Sequence, residues 1–334
     1  MNINGSQITE IKVKGFKSIR EAEIDLGMLN VLIGANGAGK SNFISLFKLL
    51  HEWMNDRLES CVAKQGGMER ILYMGGKVTP RFDVRLDIGG SYHSVSFIPS
   101  DDGRIATVEG TPPRHEKQIC WSVYHFHDTG ETAHMKKMCG LNDNISLASD
   151  GRNLAAYLYR LFMKEQPSYQ RIVKTIQLAA PFFNDFFLRP NPLNEEMIQL
   201  EWTRTNSDIP FLASQLSDGT LRFICLATLL LQPKHLAPDT IIIDEPELGL
   251  HPHAITLLGE MIKSASVDKQ IILSTQSVDL LNEFDLENVI VVDHIDNASS
   301  FRRLSFDELK HWLEDGYSLG TLWCKNLFGG RSAR

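Results

Sequence analysis

The stretch Gly34-Ala35-Asn36-Gly37-Ala38-Gly39-Lys40-Ser41 constrains this chain more than any other. The apolar run Leu29-Asn30-Val31-Leu32-Ile33 precedes it, and Phe43-Ile44-Ser45-Leu46-Phe47-Lys48-Leu49-Leu50 follows. A strand, a glycine-rich turn and a helix, in that order, are the setting in which GxxxxGK[ST] acts as a phosphate loop. Glycines let the backbone curl until successive N–H groups face one anion, and the helix N-terminus adds partial positive charge. On this reading Asn36, Gly37, Ala38, Gly39, Lys40, Ser41 and Asn42 hold a nucleoside triphosphate. Lys40 reaches the β- and γ-phosphates, and the Ser41 hydroxyl ligates Mg2+.

With 334 residues, 43% of them hydrophobic and no biased tract, the chain can bury a large core. Length would allow two domains, but the motifs run from one end to the other, which favours one elaborated domain. A net charge of −7 argues against a protein that coats nucleic acid, while leaving room for a local basic patch. Cysteines 61, 120, 139, 225 and 324 form no CxxC pair and are odd in number, as in a reduced cytosolic protein. The N-terminus is polar, and no apolar run approaches about 18 residues. Neither export nor membrane spanning is expected, and the location expected is cytoplasmic.

Upstream of the loop, Ile8–Lys14 and Ala22–Leu26 alternate apolar and polar residues around the turn Gly15–Ile19, which predicts an antiparallel pair. Lys17, Ser18 and Arg20 in that turn are either solvated or line the nucleotide pocket. The pattern loosens through Asn55–Met74, and Gly66-Gly67 and Gly75-Gly76 bracket a segment that reads as a loop. Phe82–Ile88 and Tyr92–Phe97 flank Gly89-Gly90 as a β-hairpin. Ser100–Glu116 reads as a loop, and Trp121–Phe126 as a strand. On that strand His125 and His127 would share a face, with Asp128 following. A metal site needs further ligands that nothing nearby supplies, so these residues read as structural or as a polar cluster near the nucleotide. Asn153–Lys164 and Tyr169–Ala180 carry helical periodicity; Phe183–Leu188 and Met197–Thr203 look like strands. No heptad pattern lasts long enough for a long coiled coil.

Thr240-Ile241-Ile242-Ile243-Asp244-Glu245-Pro246 is an apolar strand running into two acids. Such a run suits a parallel strand buried on both faces, and its C-terminal end is where open α/β sheets bind ligands. Asp244 is the expected Mg2+ residue, and Glu245 the group that polarises the attacking water. Gln215-Leu216-Ser217-Asp218-Gly219-Thr220-Leu221-Arg222 precedes an apolar helix, Phe223–Leu231, and offers a second anion cradle at Ser217, Asp218 and Gly219. Further on, Asn288–Asp293 reads as a strand and Phe306–Leu313 as a helix. The apolar, glycine-containing tail Ser318–Arg331 either packs on its own domain or docks a partner.

The segment around Ser217 resembles the signature loop of ABC ATPases, usually written LSGGQ. Glu247-Leu248-Gly249-Leu250-His251-Pro252 resembles their D-loop, and Ile271–Ser277 their final sensor strand, with Gln276 where many members carry histidine. Gln276 can hydrogen-bond a γ-phosphate or water but takes no proton at neutral pH, which implies slow turnover resting on Glu245. With Phe16-Lys17-Ser18-Ile19, Asn30 and Asn42 added, the pattern resembles the SMC, RecF and OLD-like branch of soluble ABC ATPases. It covers roughly residues 8–60 and 210–295, and the middle segment matches only in placement.

The resemblance implies an α/β ABC-ATPase head with a parallel core sheet, an N-terminal antiparallel β subdomain and a short mixed insert. Its parts are expected at 1–60, 61–209, 210–295 and 296–334. It also implies ATP with Mg2+ sandwiched in a homodimer, Lys40 and Asp244 acting from one subunit and Ser217 and Gly219 from the other. No intrinsic nuclease is expected in the stretch that follows Gln276. Stand-alone relatives of this kind sit beside a separately encoded effector, commonly a Toprim-like or HNH nuclease, in anti-phage defence. A RecF-like repair clamp on DNA and an ATP-bound scaffold caging a toxin-like partner are the alternatives. Lys12, Lys14, Lys17, Arg20, Arg302 and Arg303 are the basic candidates for DNA.

Overall fold

The computed structural model describes residues 6–100, 104–110 and 121–330. They form two compact units. One comprises the described residues up to 123 together with 239–244 and 270–330, and the other 124–238 and 245–269.

In the first unit, β1 (Ile8–Phe16) and β2 (Ile19–Asp25) pair antiparallel, with Val13 opposite Ala22. β4 (Phe82–Ile88), β5 (Ser91–Pro99) and β6 (Ile105–Glu109) extend this sheet in the order β2-β1-β4-β5-β6. Its buried face is aromatic: the Phe82 ring lies 5.4 Å from Phe16 and stacks on Phe97 at 4.6 Å. Two stretches without a clear sequence pattern are partly structured. Residues 55–74, where the pattern loosens, contain α2 (Leu58–Lys64), because Leu58, Cys61 and Val62 recur at helical spacing and bury one side. Residues 100–116 contain β6, which pairs with β5; residues 111–116, like Cys120, lie outside the described residues.

The second sheet of this unit runs β17-β16-β3-β15-β14-β7. Its strands are β3 (Leu29–Ile33), β7 (Trp121–Tyr124), β14 (Thr240–Asp244), β15 (Gln270–Thr275), β16 (Val289–Ile295) and β17 (Ala298–Arg303). β14, β15, β3 and β16 are parallel, in a register that places Asp244 beside Ser274 and Ser274 beside Leu32. The isoleucine run is buried because both faces of this sheet are covered. α1 (Lys40–Met54) buries Phe43, Ile44, Phe47 and Leu50 in the same core. β17 follows a turn, Asp296-Asn297, in which both residues have positive φ (49° and 62°), as a two-residue hairpin with right-handed twist requires. α7 (Val278–Leu281), α8 (Phe306–Glu314) and α9 (Leu319–Cys324) complete the unit, and the tail buries Leu322, Trp323 and Phe328 against it.

The second unit gathers α3 (Leu154–Lys164), α4 (Gln166–Ala179), α5 (Asp218–Leu231) and α6 (Pro252–Ser266). α5 is buried from Leu221 to Leu231 on every side, which is why its sequence is apolar without periodicity. Two small sheets accompany the helices. One runs β10 (Pro190–Asn191), β11 (Asn194–Ile198), β8 (Cys139–Gly140); the other runs β13 (Pro210–Leu212), β12 (Glu201–Arg204), β9 (Phe183–Phe186). The single strand expected over 197–203 is thus two strands in different sheets. Ile198, Leu200 and Trp202 do share the buried side, but the pairing partner changes between them. Among the described residues the longest helices, α1 and α6, have 15 residues, and no helix is long and apolar enough to cross a membrane.

Candidate nucleotide site

β3 ends at Ile33, and the chain turns through Gly37 (φ 80°) and Gly39 (φ 116°) into α1. Both conformations favour glycine. Gly39 occupies the N-cap of α1 and has no side chain to cap the first-turn N–H groups, which suits them to an anion. Lys40 is 4% exposed, and its ammonium donates to the carbonyls of Gly34 at 2.7 Å and Ala35 at 3.1 Å. The chain keeps this lysine folded over the loop it belongs to.

The parallel register brings a second group to the same edge. Asp244 Oδ1 accepts a short hydrogen bond from the Ser274 hydroxyl and a long one, 3.5 Å, from Ser41 Oγ. Ser41, Asp244 and Ser274 therefore put hydroxyl and carboxylate oxygens together beside the loop. These are hard donors of the kind Mg2+ takes, usually through one or two protein groups with waters and phosphates completing the shell. Gln276 follows β15 on the same edge and is half-buried. Glu245 follows Asp244 with φ 44°, a left-handed conformation unusual for glutamate.

Behind the loop lies a chain of hydroxyls. Asn42 Nδ2 donates to Ser18 Oγ at 2.7 Å, Ser18 and Ser299 share a hydrogen bond at 2.7 Å, and Ser299 Oγ donates to the Ala38 carbonyl at 2.6 Å. Lys17 has φ 47° and donates to Ser45 Oγ at 2.9 Å; burial pushes its ammonium pKa down.

Within the second unit, Ser217 caps α5 by accepting from Thr220 N at 3.2 Å, and Asp218 pairs with Lys136 at 3.3 Å. Arg222, one turn on, is 6% exposed and donates to the carbonyls of Phe126 (3.0 Å), His127 (3.2 Å) and Leu248. Burial lowers its pKa from the ordinary arginine value. The segments around Gly219 and Gly249 lie so close that a Cβ on Gly219 would sit 2.4 Å from the Gly249 carbonyl. The two motifs are one packed surface.

His125 and His127 lie past the end of β7, their rings 6.1 Å apart, so strand alternation does not govern them. Among the described residues no group of three or more histidines, cysteines and acids could hold a metal. The basic candidates are mostly engaged. Lys12 bridges Glu23 at 2.6 Å and Glu10 at 3.4 Å, and Lys14 lies 3.6 Å from Glu21. Arg302 pairs with Glu308, and Arg303 donates to Asn30 Oδ1 at 2.6 Å and the Asp25 carbonyl at 2.8 Å. Arg20 is exposed. Sequence reasoning gave no role to Ser274, Ser299 or Arg222. Parallel pairing of the Asp244 strand with Ile271–Thr275 would have pointed to Ser274; no local signal points to Ser299.

A family model described as "AAA ATPase domain" matches residues 7–71. Another, described as "AAA domain, putative AbiEii toxin, Type IV TA system", matches residues 140–282 and so begins within the middle segment. None of the curated proteins matches the chain. Among solved structures, an Smc head bound to the C-winged helix domain of ScpA superposes with a TM-score of 0.65 at 16% identity, over 91% of this chain and 99% of that one. The chain has the fold of an SMC head, and the two stretches matched by family models are similar to AAA-type ATPase domains. An Smc head with an extended coiled coil from Pyrococcus furiosus, bound to the C-terminal domain of ScpA, gives 0.63 at 16% identity over 92% and 98%. One from Pyrococcus yayanosii, with a coiled coil and joint, gives 0.59 at 12% identity over 92% and 99%. ATPase domains of the kind these family models describe use ATP with Mg2+.

Proposed function

We propose that this head binds and slowly hydrolyses ATP, and that ATP-driven dimerisation controls a separately encoded effector, a Toprim-like or HNH nuclease, in anti-phage defence. The observation that carries the nucleotide part is the meeting of Lys40, Ser41, Asp244 and Ser274 at the C-terminal edge of one parallel sheet. Mg2+ held by Ser41 and Asp244 would neutralise developing phosphate charge. Lys40 would leave its loop carbonyls for the phosphates, and Glu245 would accept a proton from the attacking water, with Gln276 orienting it. Ser217, Asp218 and Gly219, backed by Arg222, would meet the partner subunit's ATP. Lys17, Ser18 and Asn42 would complete the pocket on the Lys40 side. The γ-phosphate then fastens two heads, and hydrolysis releases them.

The defence setting draws support from the toxin–antitoxin wording of the family that matches residues 140–282. The same wording favours a second reading, an ATP-bound scaffold caging a toxin-like partner. A RecF-like DNA clamp is less favoured, because five of its six basic candidates already have intramolecular partners.

Glu245→Gln tests the mechanism. It is expected to slow hydrolysis by about a hundredfold or more, and to accumulate a dimer in ATP on sedimentation. A variant that hydrolyses normally and stays monomeric would refute the sandwich. Co-purification of the dimer from its host then separates the partners: a stoichiometric nuclease supports the first reading, a non-nuclease toxin the second.

A further inference from the structure

Ser299 is 2% exposed, far from the phosphate loop in sequence, and hydrogen-bonded to the loop itself. The direction of the bonds around it is fixed by chemistry. The Asn42 amide nitrogen can only donate and the Ala38 carbonyl can only accept. Ser299 spends its one proton on Ala38, so Ser18 must donate to Ser299, and Ser18 in turn accepts from Asn42. The result is a one-way relay, Asn42 to Ser18 to Ser299 to Ala38, in which each bond polarises the next. A further bond, Ser299 N to the Ser18 carbonyl at 2.7 Å, ties the backbones of the same pair.

The relay acts on one peptide plane. In a trans peptide the carbonyl and the following N–H point in opposite directions. Holding the Ala38 carbonyl against Ser299 therefore turns the Gly39 N–H away from β17. The fit leaves no room for a side chain, since a Cβ on Gly39 would lie 2.0 Å from Ser299 Oγ. Ser299 reaches this place because the Asp296-Asn297 turn sets the β16–β17 register with His294 opposite Ser299. A slip of one residue would turn Ser299 to the other face of the sheet.

We propose that Ser299 is a positioning residue of the nucleotide site: through the Ser18 relay it fixes the Ala38–Gly39 peptide so that the Gly39 N–H faces the phosphates. The proposal rests on the reading of residues 34–41 as a phosphate loop. Loop amides of this kind cradle the α- and β-phosphates, so the residue governs ATP and ADP alike.

The test is equilibrium binding of Mg2+-ATP and Mg2+-ADP, measured well below the unfolding temperature, on the full chain and on Ser299→Ala, Ser18→Ala and the double variant. Lys40→Ala serves as the control for the loop itself. Ser299→Ala is expected to weaken both nucleotides about fivefold, the scale of one lost hydrogen bond. The double variant should be no weaker than Ser299→Ala, because either cut opens the same relay. Additive losses would overturn the relay, and a loss confined to ATP would make Ser299 a γ-phosphate contact instead. Unchanged affinity in Ser299→Ala, with wild type binding and Lys40→Ala not binding, would refute the inference and leave the phosphate loop standing. Should Ser299→Ala not fold, Ser18→Ala at a half-buried position carries the same test. If wild type itself bound neither nucleotide, the phosphate-loop reading would fall first, and this proposal with it.

Discussion

Two glycines of the Gly34–Ser41 loop look equivalent in the motif and are not equivalent in space. Gly37 has φ 80° with nothing within 4 Å of where a Cβ would stand, whereas a Cβ on Gly39 meets Ser299 and Ser18 at φ 116°. Gly37→Ala therefore carries only the left-handed penalty, about 1–2 kcal/mol. Gly39→Ala adds a collision with two side chains that themselves brace the loop. The expected outcome is modestly weakened ATP binding for Gly37→Ala and none detectable for Gly39→Ala, by calorimetry. Equal losses would mean that the packing behind the loop does not matter. At the same scale, Cys225 is fully buried and its thiol is pushed up to about 12, while Cys324 is exposed. The thiolate is the reactive form. Alkylation at pH 8 should thus label Cys324 and spare Cys225 until the chain unfolds, as read by mass spectrometry of the digested protein.

Between elements, the informative side chain is Arg222. It carries a charge into a buried place and gives it to three backbone carbonyls, two just after β7 and one in the Glu247–Leu250 segment. Arg222→Ala would leave those carbonyls without this donor, at a cost of about 2–4 kcal/mol. A lower thermal midpoint is expected, with Arg222→Lys recovering only part of it because an ammonium lacks the planar fork. If Arg222→Ala melted with wild type, the guanidinium would not be what joins the two segments. Elements of this sort also explain what was legible in the sequence. β3, the loop and α1 are contiguous, and the Ile241–Ile243 run announces its own burial, so the elements that form this edge of the sheet could be read locally. β17 could not, because Ala298–Arg303 is polar and is held by a turn and by pairing with β16. The β11–β12 break was hidden for a similar reason: periodicity reports which side is buried, not which strand lies alongside. Asp244 was legible as an acid at a strand end; its sharing between Ser41 and Ser274 depended on a parallel register that only the folded sheet provides.

For the whole molecule, the phosphate loop, Asp244 and Gln276 belong to one compact unit, while Glu245, the Ser217–Arg222 segment and the Glu247–Leu250 segment belong to the other. If ATP is held between two copies, then ligand binding and self-association are one equilibrium, and stability must respond to both concentrations. A ligand that binds only the folded monomer raises the melting temperature as the logarithm of its own free concentration relative to Kd, whatever the protein concentration. A ligand that binds across a dimer raises it further as protein is added. Glu245→Gln in Mg2+-ATP is therefore expected to melt higher at higher protein concentration, whereas ADP should give a shift that protein concentration does not change. Lys40→Ala should show neither, since it loses the phosphates before the question of a partner arises. A concentration-independent shift in ATP would place the nucleotide wholly within one head, and control of an effector would then have to come from a change within the monomer.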